Sequence, residues 1–226
     1  MNSVFDLSER LSVLPILHGN GDFALQVRRH LTNWSPDCVA LPLPPSFADP
    51  VEQGVGRLPQ ISVAIQREIS IEGAYNYVPI DPCQGVISAV RTAMDLGTHR
   101  AYVDLEVGSY EENELVLPDP YALKEVSLER FVAAMVPALT APKDGDQRLA
   151  RIRRMAYELH LLELEHDRIV LVCSVADWPW IRQAYSDRAR YTQHERSITL
   201  PMCRPLAADC LYFALGELPH VTHQYE

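Results

Sequence analysis

The sequence lacks the short motifs by which several common enzyme classes are recognised. It contains no GxSxG nucleophile elbow, no GxxxxGKS/T phosphate-binding loop and no GxGxxG dinucleotide fingerprint. Its five cysteines are widely scattered and form no CxxC pair, so neither a zinc knuckle nor a dithiol redox motif is indicated. No apolar run approaches the roughly 18 residues that a membrane-spanning helix needs. Short motifs alone therefore assign no enzymatic function.

Positive charge is also in short supply, and this limits the expected partners. The formal net charge of −10 at pH 7 disfavours nucleic acid and anionic membrane surfaces as partners, because both would be repelled. The amino terminus has no basic stretch followed by an apolar one, so no signal peptide is expected and a cytoplasmic location is predicted. A chain of 226 residues is expected to form one domain over 1–226.

Apolar runs alternate with segments of helical periodicity along the whole chain. Runs rich in Val, Ile and Leu that do not alternate with polar residues predict strands covered on both faces. Strands are predicted at 12–18, 38–43, 61–65, 76–80, 100–106, 168–174 and 197–200, and helices at 22–34, 47–56, 84–96, 127–139, 146–166 and 177–187.

This alternation predicts an α/β fold with three layers around a mostly parallel sheet. The two helices before the strand at 168–174 exceed a minimal crossover, so we expect a helical hairpin insertion at about 123–166. The acidic segment 107–122 lacks periodicity and is predicted to be a loop. Apolar residues continue through 211–226, which indicates either a docked terminal segment or, the interpretation we favour, the N-terminal part of a longer protein.

Residues 14–47 form the most informative stretch. They read as an apolar strand, a glycine-rich turn from His18 to Asp22, an amphipathic helix and a second apolar strand. Asp22 stands where a helix N-cap is expected, and capping is favoured over a ligand role. The histidine lies at the carboxyl end of a strand, where ligands collect in open α/β sheets.

This unit resembles the opening of the TraB/ChaN/erythromycin-esterase-like superfamily. In that family the first strand ends in Gly-Glu-x-His or Gly-x-x-His and the second in a Glu-Leu-Pro-Pro-like sequence. The corresponding residues here are Pro-Ile-Leu-His at 15–18 and Leu-Pro-Leu-Pro at 41–44. Residues 100–106 are similar to a family strand that ends in Phe-Ile-Asp, 153–156 to its Arg-x-x-Met-Ala helix, and 169–178 to its late strand.

The resemblance implies a site at the carboxyl ends of several strands, built from His18, Asp104, Glu106 and Asp177. One histidine with two or three carboxylates suits a divalent ion such as Mn²⁺ or Mg²⁺, and His18, Asp104 and Asp177 are the metal candidates. Each residue also has a structural interpretation. His18 could hydrogen-bond only to its own loop, Asp177 fits an N-cap before Pro179, and Asp104 and Glu106 could simply form the acidic mouth of a loop.

Two acids of the family pattern are missing here, because Ile16 and Pro42 occupy their positions. Neither side chain ligates a metal or moves a proton, so the site is expected to be degenerate. The leading hypothesis is a catalytically degenerate family member that acts as a binding or interaction module, with a protein partner in a larger assembly. The alternatives are an active metal-dependent hydrolase and, less favoured, a small-molecule or haem binder at the same strand ends.

The remaining clusters have structural explanations. The arginines at 148, 151, 153 and 154 are expected to form a solvated helix face, with an anion-binding patch as the alternative. His160, Glu163 and His166 are expected on the solvated side of an amphipathic helix. Cys38 is expected to be a small buried hydrophobe. An exposed apolar patch around Trp178 and Trp180, or in the carboxyl segment, would mark a partner surface.

Overall fold

A computed structural model describes residues 4–111 and 119–226, so the predicted loop at 107–122 lies partly outside the described residues. The strands and α-helices of the described residues are β1 (Leu11–Ile16), α1 (Gly21–Trp34), β2 (Cys38–Leu41), α2 (Ala48–Val55), β3 (Ser62–Arg67), β4 (Tyr75–Ile80), α3 (Gly85–Leu96), β5 (His99–Tyr102), α4 (Leu128–Met135), α5 (Gln147–Leu162), β6 (Ile169–Ser174), α6 (Trp178–Ser186), β7 (Met202–Pro205), α7 (Leu211–Ala214) and α8 (Pro219–Thr222).

The main sheet has four strands in the order β1-β6-β2-β5, and every neighbouring pair is parallel. All residues of β1 and β2 are buried, as are all but the last residue of β6. This burial explains why the apolar runs do not alternate, since both faces of a parallel sheet are covered. Helices α1 and α3 pack together, and so do α5 and α6. The predicted three-layer α/β fold with a mostly parallel sheet is confirmed.

The two helices predicted before the late strand are present as α4 and α5. Each packs on a different neighbour: Phe131 of α4 meets Phe23 of α1 edge to face, whereas α5 packs on α6. Ser127 caps α4 by accepting a hydrogen bond from the Arg130 N–H at 3.4 Å. The two helices between β5 and β6 therefore pack on different neighbours, α4 on α1 and α5 on α6.

A second, smaller sheet has the order β4-β3-β7, and its strands are antiparallel. Sequence patterning did not predict its last strand correctly. The strand expected at 197–200 is absent, and β7 lies at 202–205 instead. Leu200 is 75% exposed, which shows that this apolar residue is not part of a buried strand. Helix α2 packs against β3 and β7 on the inner face of this sheet.

Two local predictions at the strand ends were wrong. Helix α1 is capped by Asn20, whose side chain accepts a hydrogen bond from the Phe23 N–H at 3.2 Å, and Asp22 lies inside the first turn. Strand β5 ends at Tyr102 and not at 106, although the Asp104 N–H still donates to the carbonyl of Leu43. Asp104 and Glu106 therefore lie in the loop that follows the strand.

The carboxyl segment is docked on the glycine-rich turn after β1. Gly19 has a φ of +72°, which favours glycine, and a Cβ there would lie 3.0 Å from the Cα of Gly216. The Asn20 side chain donates to Glu217 at 3.1 Å, and the Tyr225 hydroxyl donates to Asp22 at 3.1 Å. The close backbone approach requires small residues on both sides, so the two glycines position this segment.

Burial of β6 between two strands makes its apolar side chains sensitive to truncation. We expect Leu171→Ala, at a side chain that is 0% exposed, to lower the free energy of unfolding by about 2–5 kcal/mol because it leaves a cavity. The matched control Leu164→Ala, at a side chain that is 81% exposed, should change it by less than about 0.5 kcal/mol. Urea unfolding followed by circular dichroism measures both, and equal effects would contradict the packing of β6.

Candidate functional site at the strand ends

Three of the four predicted site residues follow the carboxyl ends of parallel strands. His18 comes two residues after β1, Asp104 two residues after β5, and Asp177 three residues after β6. His18 is accessible to solvent, whereas the Asp104 side chain is only 1% exposed. The parallel sheet brings these residues to one edge, because the carboxyl ends of its strands lie together.

Arg151 of α5 forms an ion pair with the carboxylate of Asp104. Its Nε donates to both carboxylate oxygens, at 3.1 and 3.0 Å, and one terminal nitrogen donates to Oδ2. The other terminal nitrogen donates to the Tyr110 hydroxyl at 3.0 Å. Burial lowers the pKa of Arg151, but the charge and hydrogen bonds of Asp104, together with Tyr110 and Asp177, outweigh burial and raise this pKa above its ordinary value. The Asp104 carboxylate is therefore engaged by Arg151.

Arg148, one turn earlier on the same helix, forms an ion pair with Asp177 through a single hydrogen bond. Its Nε donates to Asp177 Oδ1 at 2.7 Å, and its terminal nitrogens donate to the carbonyls of Thr140 and Ala176 at 3.3 and 2.6 Å. Asp177 stands at the N-cap position of α6, as predicted, but its side chain accepts no hydrogen bond from the helix backbone. The carboxylate is turned towards the guanidinium instead.

Glu106 belongs to a different cluster. Its carboxylate accepts hydrogen bonds from the Ser46 N–H at 2.6 Å and from the Ser46 hydroxyl at 2.8 Å. The Glu106 backbone N–H donates to Nδ1 of His194 at 3.0 Å. Glu106 therefore holds the turn after β2 and the segment before β7, and it does not share a partner with Asp104.

His18 is left as the accessible titratable group at the strand ends among these four residues. The surrounding protein removes hydration and lowers the pKa of His18, although the ring is partly accessible to solvent. The negative charge of Asp177 raises this pKa, and the positive charge of Arg151 lowers it. The net effect is a pKa below the ordinary 6.5, so the imidazole is neutral at pH 7.

These contacts leave few electron pairs for a metal ion. A divalent ion of the Mn²⁺ or Mg²⁺ type needs several oxygen ligands, whereas the oxygens of Asp104 already accept three hydrogen bonds from one guanidinium. Asp177 accepts one hydrogen bond from Arg148 through Oδ1, and Glu106 points to Ser46. Among the described residues, His18, Asp104 and Asp177 also form no group whose ligand atoms lie within 4.8 Å of one another, so they do not fit the predicted divalent site.

The pairing of Arg148 and Arg151 with the two aspartates was not predicted from the sequence. A solvated face was expected for the basic cluster, but Arg148 is 8% exposed, and the Arg151 side chain is 16% exposed. Their spacing of three residues was the available signal, since it places both on one helix face. The interpretation of a solvated face holds only for Arg153, which pairs with the highly exposed Asp144.

One expectation at α5 was wrong, and the exposed apolar side chains lie in the carboxyl segment and not at Trp178. The His160 ring is not on a solvated face, because it stacks on Tyr185 with ring centroids 4.1 Å apart. Trp178 is 3% exposed and packs edge to face against Phe5, so it forms no surface patch. The carboxyl segment does carry exposed aromatic side chains, with Tyr212 74% and Phe213 87% exposed.

Comparison with protein-family models, curated proteins and solved structures finds no match for this chain. The resemblance to the TraB/ChaN/erythromycin-esterase-like superfamily therefore stays a prediction. None of the described helices is long and apolar enough to cross a membrane.

Removing Arg151 should be costly, because it leaves the buried Asp104 without a partner. We expect Arg151→Met to lower the free energy of unfolding by about 3–5 kcal/mol. Arg153→Met removes an exposed pair and should cost about 0–1 kcal/mol. Adding Asp104→Asn to Arg151→Met should recover part of the loss, and an additive double mutant in urea unfolding would contradict the pairing.

The low pKa of His18 can be measured directly. Imidazole resonances followed by NMR should titrate below pH 6.5, and Asp177→Asn should lower the pKa further because it removes a negative charge. Since the folded state disfavours the protonated ring, the stability contributed by neutral His18 is present above its unfolded pKa of about 6.5 and is lost as pH falls through the folded pKa. A pKa at or above 6.5 would contradict this environment.

Proposed function

We propose that this protein is a non-catalytic α/β binding module, a divergent relative of the TraB/ChaN/erythromycin-esterase-like superfamily, that recognises an acidic segment of a protein partner. The observation that carries the non-catalytic part is the pairing of Asp104 with Arg151 and of Asp177 with Arg148. Both aspartates are engaged by arginine, so neither is a free carboxylate base or metal ligand, and among the four predicted residues the His18 imidazole has no free aspartate to orient it.

The outer face of the small sheet supports the binding role. In its central row, the register places Tyr77 of β4, Ile65 of β3 and Met202 of β7 side by side. The next rows on the same face pair Tyr75 with Arg67, and Val63 with Arg204. We call these residues the Tyr–Arg face.

Most of the Tyr–Arg face is open to solvent, although Val63 is only 7% exposed. Tyr75 is 55%, Tyr77 52% and Met202 47% exposed, whereas the alternate residues of β3, Ala64 and Gln66, are buried on the inner face. Tyrosine, methionine and arginine are the residue types enriched at the centres of protein interfaces. Tyrosine side chains also lose little entropy when a partner binds, because each has only two side-chain torsions.

Charge favours an acidic partner over a second copy. The charged residues of the Tyr–Arg face are Arg67 and Arg204, although the chain as a whole has a net charge of −10. Two such faces would repel each other if they met around a two-fold axis, whereas carboxylates flanked by apolar side chains would complement both arginines and the tyrosines.

All five cysteines are free thiols, which is consistent with action in a reducing compartment such as the cytoplasm.

Selection from a displayed peptide library tests the partner chemistry. We expect selected peptides to combine Asp or Glu with aromatic or aliphatic residues, and to bind more weakly as salt rises. Tyr77→Ala should weaken binding of a selected peptide by at least about tenfold, since hot-spot truncations cost about 2 kcal/mol or more. Arg67→Glu combined with Arg204→Glu should abolish binding.

The matched control is Phe213→Ala, which removes an aromatic side chain that is 87% exposed outside the Tyr–Arg face. It should leave peptide affinity unchanged. Failure to select any acidic ligand, or a ligand that depends on Phe213 and not on Tyr77, would refute this binding surface. A dimer that dissociates on Tyr77→Ala would identify a second copy as the partner instead.

A separate assay addresses the alternative of a metal-dependent hydrolase. Ester, amide and phosphoester substrates are tested with Mn²⁺, Mg²⁺ and Zn²⁺, and we expect no turnover above that of the His18→Ala variant. Turnover that is lost in both His18→Ala and Asp177→Asn would establish the hydrolase and overturn the non-catalytic proposal. Metal binding that does not depend on His18 would be compatible with the non-catalytic proposal.

A further inference from the structure

A cluster of metal-ligating side chains lies at the opposite edge of the parallel sheet, where the strands begin. Cys38 is the first residue of β2, and its register partner is His99, the first residue of β5. His166 lies three residues before β6, the other neighbour of β2. The Cys38 sulfur and ring nitrogens of His99 and His166 lie within 4.8 Å of one another.

The sheet register brings these residues together. Partners in adjacent parallel strands point to the same face, so the Cys38 thiol and the His99 ring emerge side by side. The turn before β6 is fixed to β2 because the backbone N–H groups of Asp37 and Cys38 both donate to the carbonyl of Arg168, at 3.0 and 3.3 Å. The His166 ring then stacks on the His99 ring, with centroids 5.0 Å apart.

The burial of the three groups suits an ion that enters from solvent. Cys38 is fully buried and forms the floor, His166 is half-buried, and His99 is exposed. In a tetrahedral zinc site the ligand atoms lie about 3.5 Å apart, so the side chains must close by about 1 Å, and the His99 ring must turn out of its stacking on His166 because nitrogen lone pairs lie in the ring plane. His99 can make this movement because its exposed ring is not confined by the core.

Asp37 supplies a positioning group next to the cluster. Its Oδ1 lies 3.9 Å from Nδ1 of His166, and its carboxylate accepts the backbone N–H groups of Asp167 at 3.0 Å and Arg168 at 3.1 Å. Partial burial raises the pKa of Asp37, but these hydrogen bonds outweigh it and keep the carboxylate ionised. A carboxylate beside Nδ1 favours the tautomer that leaves Nε2 free to bind a metal.

We propose that Cys38, His99 and His166 form a zinc site, with water in the fourth position, that ties the beginnings of β2 and β5 to the turn before β6. One thiolate and two imidazoles suit zinc and other borderline or soft ions, and they exclude Mg²⁺ and Ca²⁺, which prefer oxygen. This site is independent of the strand-end residues and of the Tyr–Arg face.

The thiol must give up its proton when zinc binds. Burial, and to a lesser extent the charges of Asp37 and Glu165, raise the pKa of Cys38 to about 12, so without metal the thiol is protonated at neutral pH. Binding breaks the S–H bond, forms a Zn–S bond and releases the proton to the buffer. Because zinc occupies only the folded site, it should also raise the unfolding temperature.

Calorimetric titration of metal-free protein with Zn²⁺ tests the proposal. At pH 8 we expect one zinc per chain and about one proton released, as measured in two buffers of different ionisation enthalpy. Co²⁺ in place of zinc should give the near-ultraviolet charge-transfer absorption of a cobalt–thiolate bond, and Cys38→Ala should remove it.

Matched variants separate this site from adventitious binding. His99→Gln and His166→Gln should each weaken zinc affinity by more than about tenfold, since each removes a ligand. Controls are Cys173→Ala, an equally buried thiol on β6, and His160→Gln, a ring stacked on Tyr185; both should bind zinc as the unmodified protein does.

Equal zinc affinity in His99→Gln, His166→Gln and the controls would overturn the site, as would the absence of saturable binding. The test does not depend on the folding of Cys38→Ala, because His99 is exposed and His166 is half-buried. His18→Ala should leave zinc binding unchanged, so failure of the zinc site and failure of the non-catalytic proposal give different results.

Discussion

The charge pairing between α5 and the ends of the parallel strands is the constraint on which the rest of this structure depends. Arg148 and Arg151 enter the edge of the sheet from one helix, and each neutralises an aspartate that follows a strand. Neither charge could remain buried alone, because unpaired buried ions are far less stable than hydrated ones. The pairs join α5 to the loops after β5 and β6, and they leave His18 as a neutral ring beside engaged carboxylates.

This arrangement separates the chemical features of the molecule by location. The carboxyl ends of the strands hold closed ion pairs, the amino ends hold a thiol with two imidazoles, and the small sheet presents tyrosines and arginines to solvent. In open α/β sheets the carboxyl ends are the usual ligand site. Here the aspartates at that edge are already paired with arginines, while the atoms that suit a soft metal lie at the other edge. A fold of this type therefore does not by itself indicate where ligands bind.

Part of this arrangement is visible in the sequence. The unbroken apolar run around Leu171 predicts a doubly covered strand, and a strand is found there in the parallel sheet. His18, Asp104 and Asp177 are placed after strands by the same periodicity, and the structure has them there. The edges of elements were less predictable. Strand β7 was expected too early because Ile198 and Leu200 are apolar, although burial in this region depends on pairing with β3.

The sequence by itself determined the three-layer α/β class, the order of its main elements and the negative charge of the chain, because periodicity and composition are local properties. Only the tertiary structure decided which charges meet and which donors converge. Arg148 finds Asp177, and Cys38 finds His99 and His166, through strand register and helix packing that join residues far apart in the chain. Such contacts leave no local pattern in the sequence. From the sequence alone, Arg148 is predicted to lie on a solvated helix face and Cys38 to be a small buried hydrophobe.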